Sequence, residues 1–206
     1  KRQEIDKSDL CISTQAAEKI YSGFGDPANL VINLNLSNNS NLFWLPKELI
    51  LFNNCNLKRK INFNLSKDTN LLLCENIIFG RTSMKEKFEK GYFSDFWNFN
   101  VDNKLIHTEA INTGLFEKKY LNSFSTLNNN SAVATIIIVG NKFLNNVNNL
   151  SETLTNNENT TSNYSHLDNK LIVRLLSKDS YNLKFAIDKI LSYFFEGSKI
   201  PKVWNI

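Results

Sequence analysis

The chain has 206 residues, of which 42% are hydrophobic and 21% are charged, and its formal net charge is +4. This composition predicts a single globular domain over 1–206 with its own core. Lys and Arg are scattered along the chain, so the mild positive charge argues against a nucleic-acid surface. The sequence has no signal peptide and no apolar run of about eighteen residues, so we expect neither secretion nor a membrane span.

Cysteine and asparagine usage restricts the class of protein further. Cys11, Cys55 and Cys74 lie far apart without CxxC spacing, which argues against a disulfide framework and against a structural zinc site. A reduced, cytoplasmic setting is therefore expected. Roughly one residue in six is Asn. Because Lys and Ile are frequent as well, we attribute this enrichment to codon bias and expect no role for any single Asn.

The first half of the chain predicts several strands. Apolar residues alternate or run together in 10–14, 30–36, 49–52, 57–65 and 71–79. In 57–65 the odd positions are apolar except for Arg59, which indicates one wet face. The run 71–79 is apolar nearly throughout and is interrupted by Glu75, as expected for a strand covered on both faces. A carboxylate there must be paired, hydrogen-bonded or protonated, and Arg59 or Arg81 could be its partner.

A hairpin is predicted in the middle of the chain. Asp102 and Asn103 form a tight-turn dipeptide between the runs 93–101 and 105–111. Across this hairpin Asp95, His107 and Glu109 could approach one another, and imidazole with carboxylate suits a divalent ion. Alternation alone produces such groupings, so we favour the interpretation that the three are outward-facing polar positions.

The C-terminal part predicts two further strands and the clearest helix. The runs 132–139 and 171–176 are strand-like, and the Asn-rich stretch 151–165 between them is predicted to be a mobile loop. Asp179 or Ser180 caps a helix whose apolar stripe includes Leu183, Ile187 and Ile190. Four aromatic residues widen this stripe beyond one face and suggest a partner surface; they are Tyr181, Phe185, Tyr193 and Phe195.

Several of these segments also carry a resemblance to a known family. They are Trp44-Leu45-Pro46 with Glu48, then Glu75 ahead of Gly80-Arg81, the string Thr14-Gln15-Ala16-Ala17 with Lys19 and Tyr21, and the tail Pro201-Lys202-Val203-Trp204. Together they resemble the urease accessory protein D (UreD/UreH) family from about Asp9 to Trp204. The Asn-rich stretch is the main departure. The family normally has a further, glycine-rich N-terminal segment ahead of the position of Lys1, so the resemblance predicts an N-terminally incomplete copy.

The resemblance implies both a fold and a function. The fold would be mainly β, a β-helix-like stack of strands with a small α-helical part that includes the C-terminal helix. The protein would be a chaperone and not an enzyme, acting in the cytoplasm in a complex with apo-urease and accessory protein F, which recruits the GTPase accessory protein G. No cofactor would be tightly bound, and nickel would pass through in transit.

The residues implied for this role are all proposals at this stage. Candidates for the nickel path are Glu48 and Glu75, followed by Gln15 and Arg81. For Glu75, an ion pair that only stabilises the strands is an equally good interpretation. Trp204 joins the four aromatic residues of the helix as a candidate for partner binding.

Two alternatives belong to other classes of protein. A β-solenoid binding module, for instance for carbohydrate, would carry fixed-period repeats, and none is evident. A hydrolase on a β-helix scaffold would need clustered carboxylates on consecutive strands, and only analogy of fold supports it. No GxSxG, P-loop or GxGxxG motif occurs.

Overall fold

The computed structural model describes residues 9–37, 39–81, 86–145, 147–167, 169–195 and 202–205. The strands are β1 (Asp9–Ile12), β2 (Glu18–Ile20), β3 (Ala28–Leu36), β4 (Asn41–Trp44), β5 (Leu49–Leu51), β6 (Asn56–Leu65), β7 (Asn70–Phe79), β8 (Lys90–Val101), β9 (Lys104–Glu117), β10 (Ala132–Val139), β11 (Thr160–Leu167) and β12 (Lys170–Ser177). The helices are α1 (Lys118–Asn122), α2 (Asn141–Leu144) and α3 (Ser180–Phe195), with 3-10 turns at Leu150–Thr153 and Lys202–Asn205. The prediction of a mainly β fold with a C-terminal helix is confirmed.

The N-terminal half winds as a parallel β-helix-like stack. The chain passes from β1 and β2 in a first sheet to β3 in a second, then from β4 and β5 to β6, and then from β7 to β8. Equivalent strands pair in parallel, so that Ile32, Ile61 and Trp97 lie side by side in successive coils. Residues stacked in this way share one environment, and apolar side chains therefore line the interior of every coil.

The C-terminal half extends both sheets with antiparallel strands. Strand β9 returns along β8 after a turn in which Asp102 and Asn103 both have positive φ, as a tight hairpin requires. Strand β10 pairs with β7, and β12 and β11 follow beyond it. The first sheet therefore runs β1-β4-β7-β10-β12-β11, and the second runs β3-β6-β8-β9.

Strand β7 lies at the centre of the core and is covered on both faces, as predicted. Leu71, Leu73 and Ile77 pack toward the second sheet, whereas Leu72 and Cys74 pack on the side of α3. Nine of its ten residues are buried. Glu75 belongs to the face between the sheets, which is where the polar contacts described below converge.

Helix α3 closes the outer face of the first sheet. Asp179 caps it, because its carboxylate accepts a hydrogen bond from the amide of Asn182 at 2.8 Å. The predicted apolar stripe is buried against β10 and β12, with Leu183, Ala186 and Ile190 at 1% exposure or less. Gly197, whose residue type commonly ends a helix and thus predicts an end here, falls outside the described residues. No helix in the described part of the chain has the length and apolar character needed to cross a membrane.

Asparagine side chains form two ladders on the outer face of the second sheet. The Asn62 amide donates to Asn33 at 2.8 Å, and that of Asn98 donates to Asn62 at 3.0 Å. A parallel set joins Asn35, Asn64 and Asn100. Because an amide both donates and accepts, identical residues stacked in parallel register can satisfy one another. Individual asparagines therefore have a structural role at these positions, which the overall composition gave no means of recognising.

The Asn-rich stretch also differs from its prediction. Thr160–Leu167 forms strand β11, paired along its whole length with β12, where the sequence predicted a loop. Asparagines stabilise the entry to this strand: Asn157 accepts from the amides of Asn159 and Thr160, and Asn156 accepts from the amide of Ser162. The sequence did not predict this strand, because its outward positions are small and polar. Its extended conformation depends on pairing with β12.

Candidate functional site

The interior of the stack contains a buried charge network built on Arg59. This residue breaks the alternation of β6 because its side chain points inward and is 3% exposed. It donates to both carboxylate oxygens of Asp95, from Nε at 2.9 Å and from Nη2 at 2.6 Å. It also donates to Glu75 at 3.0 Å, so it bridges the two sheets. Trp44 donates from its indole Nε1 to the other oxygen of Glu75 at 2.7 Å.

The surroundings of this network act on its ionisation in opposing directions. Burial alone would lower the pKa of Arg59, but the adjacent Glu75 and Asp95 carboxylates raise it, so the guanidinium stays charged. Burial raises the pKa of Glu75, and the attraction of Arg59 and the hydrogen bond from Trp44 offset this only in part. One guanidinium thus faces two carboxyl groups, so the network carries an excess negative charge when Glu75 is ionised and is balanced when Glu75 is protonated.

A cavity of about 60 Å³ lies next to this network, between the two sheets. Its polar lining comprises Glu75, Asp95, Trp97, Glu109, Thr135 and Arg174, and Ile77, Ala110, Ile111 and Val133 complete it. The volume is sufficient for a few water molecules. The indole N–H of Trp97 is buried without a hydrogen-bond partner among the described residues. Most buried donors of this kind in proteins have an acceptor, and an ordered water molecule is a common one.

An ion pair between the sheets lies at the outer side of the cavity. Arg174 of β12 donates from Nη2 to both carboxylate oxygens of Glu109 on β9, each at 2.6 Å. Its Nη1 donates to the hydroxyl of Thr135 at 2.8 Å. His107 lies against the same carboxylate, with Nε2 2.7 Å from Glu109. The side chain of Arg174 is 51% exposed, so this pair forms the solvent side of the polar region.

The structure corrects the expectation for the hairpin residues. Asp95, His107 and Glu109 do not face outward: Asp95 is 1% exposed, and the other two side chains are 16% and 14% exposed. Asp95 and Glu109 line one cavity but are held by different arginines. Among the described residues no group of three His, Cys, Asp or Glu side chains could hold a metal ion. The alternation rule failed here because this sheet is covered on its inner face by β7, β10 and β12.

Comparison with known proteins gives this arrangement a context. The sequence matches the family described as UreD urease accessory protein over residues 5–205. The chain belongs to the UreD family. It is 30% identical over 198 residues to urease accessory protein UreD of Rhizobium leguminosarum bv. viciae, covering 95% of this chain and 70% of that protein. The Agrobacterium fabrum protein of the same name is 27% identical over 201 residues, 96% of this chain and 68% of the relative.

A shorter region of this UreD-family chain is more similar to other relatives. It is 41% identical over 102 residues to urease accessory protein UreD of Rhodopseudomonas palustris strain HaA2, covering 50% of this chain and 37% of that protein. The resemblance inferred from the motifs is thus confirmed at the level of the family.

The four predicted nickel-path residues lie in different places. Of these, only Glu75 lines the cavity. Gln15 lies on an exposed bend between β1 and β2, and half-buried Glu48 lies between β4 and β5, where its carbonyl accepts from the amide of Glu18. Arg81 pairs with Glu86 near the surface and not with Glu75. The partner of Glu75 is Arg59, one of the two predicted.

The predicted partner-binding residues divide into two groups. Tyr181 and Phe185 are 80% and 58% exposed on α3. Tyr193 and Phe195 pack partly against the core, and the ring of Phe195 lies 4.8 Å from that of Phe43. Trp204 is 3% exposed and donates from Nε1 to Asp188, while Lys47 and Lys184 donate to its carbonyl. The side chain of Trp204 therefore contacts the chain's own helix.

The sequence indicated some members of the site but not their arrangement. Arg59 and Glu75 were visible as charged interruptions of apolar patterns, and such interruptions are the useful signal. Arg174 likewise interrupts the apolar run 171–176, but the sequence did not indicate its partner. Thr135 gave no comparable signal, because a single polar residue in a strand is ordinary on a wet face. They belong to the site only because β10 and β12 pack opposite β9.

Proposed function

We propose that this UreD-family chain is a urease maturation factor required for inserting nickel into the urease active site. It acts as a chaperone and not as a catalyst, in the cytoplasm, in a complex with apo-urease and accessory proteins F and G. The observation that carries the proposal is the buried acidic cavity, with Glu75, Asp95 and Glu109 in its lining, inside a member of this family.

The charge balance of the cavity supports transit of a cation. Among the described residues, Glu75, Asp95 and Glu109 contact the guanidinium groups of Arg59 and Arg174, and His107 also contacts Glu109. When all three carboxyl groups are ionised, a net negative charge surrounded by protein is costly, and a divalent cation relieves it. Nickel in this role is cargo, with no tightly bound cofactor. Carboxylate oxygens hold a borderline cation less firmly than thiolates do, which favours passage over storage.

The remaining path residues lie farther out than the cavity. In our proposal Glu75 is the inner carboxylate of the route, and Gln15, Glu48 and Arg81 belong to its approaches. Arg59 has a positioning role because it fixes Glu75 and Asp95 toward each other across the sheets. Trp44 holds the second oxygen of Glu75 and so limits rotation of the carboxylate.

The partner surface follows from the exposure of α3. Tyr181 and Phe185 lie one helical turn apart on the exposed side of α3, and exposed aromatic residues are frequent anchors in interfaces. Tyr193 and Phe195 are partly buried and Trp204 is buried, so in our proposal these three support the helix that presents the surface. We propose that accessory protein F binds here and brings the GTPase accessory protein G, while apo-urease receives the ion.

The test is co-expression with a urease operon that lacks its own D protein, with nickel bound per purified urease as the readout. The chain with Glu75→Gln is compared with the matched variant Glu89→Gln, a carboxylate that is 52% exposed and pairs with Lys118. We expect the unaltered chain and Glu89→Gln to restore nickel loading, and Glu75→Gln to reduce it at equal soluble protein.

The outcomes separate the parts of the proposal. Equal loading by both variants would remove Glu75 from the route. If the unaltered chain fails to load urease although it co-purifies with the accessory proteins, the role in maturation is wrong. A parallel pull-down with Tyr181→Ala and Phe185→Ala checks the partner surface, and undiminished capture of accessory protein F would exclude it.

A further inference from the structure

The Arg174–Glu109 ion pair at the outer side of the cavity differs from the Arg59 network in its exposure to solvent. Arg174 is held by Glu109 and Thr135, but half of its side chain is in contact with solvent. The pair is open to water on its Arg174 side, whereas the Glu109 side chain is only 14% exposed. A released guanidinium is therefore solvated, and its release costs less than that of an enclosed one. Arg59, at 3% exposure, has no such alternative.

Release of Arg174 would change both the shape and the charge of the cavity. The guanidinium is part of the lining and bridges β12 to β9 and β10. When it leaves, Arg59 is the one guanidinium still in contact with these carboxyl groups among the described residues, and His107 remains against Glu109. The same movement therefore opens the cavity and makes it more attractive to a cation.

The unpaired indole of Trp97 is an independent sign that the cavity takes up a ligand with an oxygen. Its N–H is buried and has no acceptor among the described residues, while the carboxylates around it can only accept when ionised. A water molecule can accept from Trp97 and donate to a carboxylate. The water shell of a hydrated cation fits the same groups.

We propose that Arg174 is a gate residue: it closes the cavity between the sheets through Glu109 and Thr135 and, when released, admits hydrated cations and rejects anions. The proposal rests on the proposed function for the identity of the natural ion, nickel. The gate itself can be tested on the chain alone, without urease.

The test measures how fast a cysteine in the cavity reacts with small thiol reagents. Ile77→Cys places the probe in a lining position that is 3% exposed. Cys11→Ser removes the exposed thiol, and buried Cys55 and Cys74 remain as background, measured without the probe. Two methanethiosulfonates of similar size are compared, one carrying an ammonium group and one a sulfonate group.

The matched control is another cationic contact of the same strand. Lys170 of β12 also reaches across to the second sheet, where it donates to the carbonyl of Ile106 at 2.7 Å, but it does not line the cavity. With Arg174→Met we expect the ammonium reagent to label the introduced thiol about tenfold faster, as when a charge-assisted pair no longer closes the entrance. We expect Lys170→Met to leave the rate unchanged and the sulfonate reagent to gain much less.

Each result decides the matter. Equal labelling rates with and without Arg174→Met overturn the gate, and so does an equal increase with Lys170→Met, which would indicate general loosening. Equal gains for both reagents overturn the selection of cations. Should Arg174→Met fail to fold, Arg174→Gln removes the same positive charge while keeping a polar side chain, and it must give the same pattern. Failed nickel loading in co-expression together with a positive labelling result contradicts the proposed function and not the gate.

Discussion

Two arginines hold carboxylates between the sheets, and water reaches only one of them. Arg59 is enclosed with Glu75 and Asp95, whereas Arg174 holds Glu109 at the outer side of the cavity with half of its side chain exposed. The geometry of the contacts is similar, with donor–acceptor distances of 2.6–3.0 Å in both. The surroundings differ, because Arg59 is shielded from water and Arg174 is not. The same kind of ion pair therefore stabilises the fold at Arg59 and remains a movable contact at Arg174.

The largest effect on stability is expected when the enclosed arginine, Arg59, is replaced. Arg59→Met leaves two carboxylates buried without their partner, and the free energy of unfolding should fall by about 3–5 kcal/mol. Lys60→Met on the exposed side of the same strand is the control, and it should change stability by no more than about 0.5 kcal/mol. Urea denaturation measures both, and similar losses would show that the network does not stabilise the core.

A variant that restores the charge balance of the Arg59 network tests whether unpaired buried charge causes this loss of stability. The triple variant Arg59→Met, Glu75→Gln, Asp95→Asn removes the isolated charges together, so it should recover much of the stability lost by Arg59→Met. Nickel loading should remain low, because Glu75 and Asp95 no longer supply carboxylates and Glu109 is left as the one acidic group of the described cavity lining. A stable triple variant that loads urease normally would assign the network to folding alone.

The second effect concerns pH. Burial raises the pKa of Glu75 above its unfolded value, so the folded state retains a proton that the unfolded state releases. Its contribution to stability is therefore complete below the unfolded pKa and is lost as the pH rises through the folded pKa, by about 1.4 kcal/mol per pH unit of that interval. Glu75→Gln should abolish this slope. Stability curves from pH 4 to 9 that remain parallel would contradict the raised pKa.

A third, smaller effect is expected on the outer face of β6, away from the charges. Asn62→Ala removes two ladder hydrogen bonds, to Asn33 and from Asn98, and should cost about 1 kcal/mol because both are neutral and lie near solvent. Lys60→Ala, one alternation earlier on the same face, serves as the control. Thermal unfolding gives the comparison, and equal midpoints would mean that the ladder follows from the register without strengthening it.

The smallest change in stability is expected when the solvent-exposed arginine, Arg174, is replaced. Arg174→Met should lower the free energy of unfolding by less than about 1 kcal/mol, because the pair is partly screened by water. Urea denaturation of Arg174→Met beside Arg59→Met tests the contrast directly. A loss at Arg174 as large as that at Arg59 would make it a structural contact and remove the basis for a movable gate.

The sequence by itself determined the elements whose physical signal is local. Alternation predicted β6, the apolar run predicted β7, the Asp102-Asn103 pair predicted the hairpin, and the cap at Asp179 with its apolar stripe predicted α3. These patterns depend on neighbouring residues and on which face is wet, so they can be recognised without knowing the fold. Glu75 interrupts an apolar run, which likewise predicted that its carboxylate has a partner, and Arg59 was one of two candidates.

Only the tertiary structure determined which residues from distant strands lie in contact. Parallel winding sets Asn33, Asn62 and Asn98 in one ladder and turns a compositional bias into hydrogen bonds. Pairing with β12 makes β11 a strand although its own residues favour a loop. The meeting of Arg174 with Glu109 depends on how two sheets pack, across 65 residues of chain. Contacts of this kind follow from the global register, and local preference does not encode them.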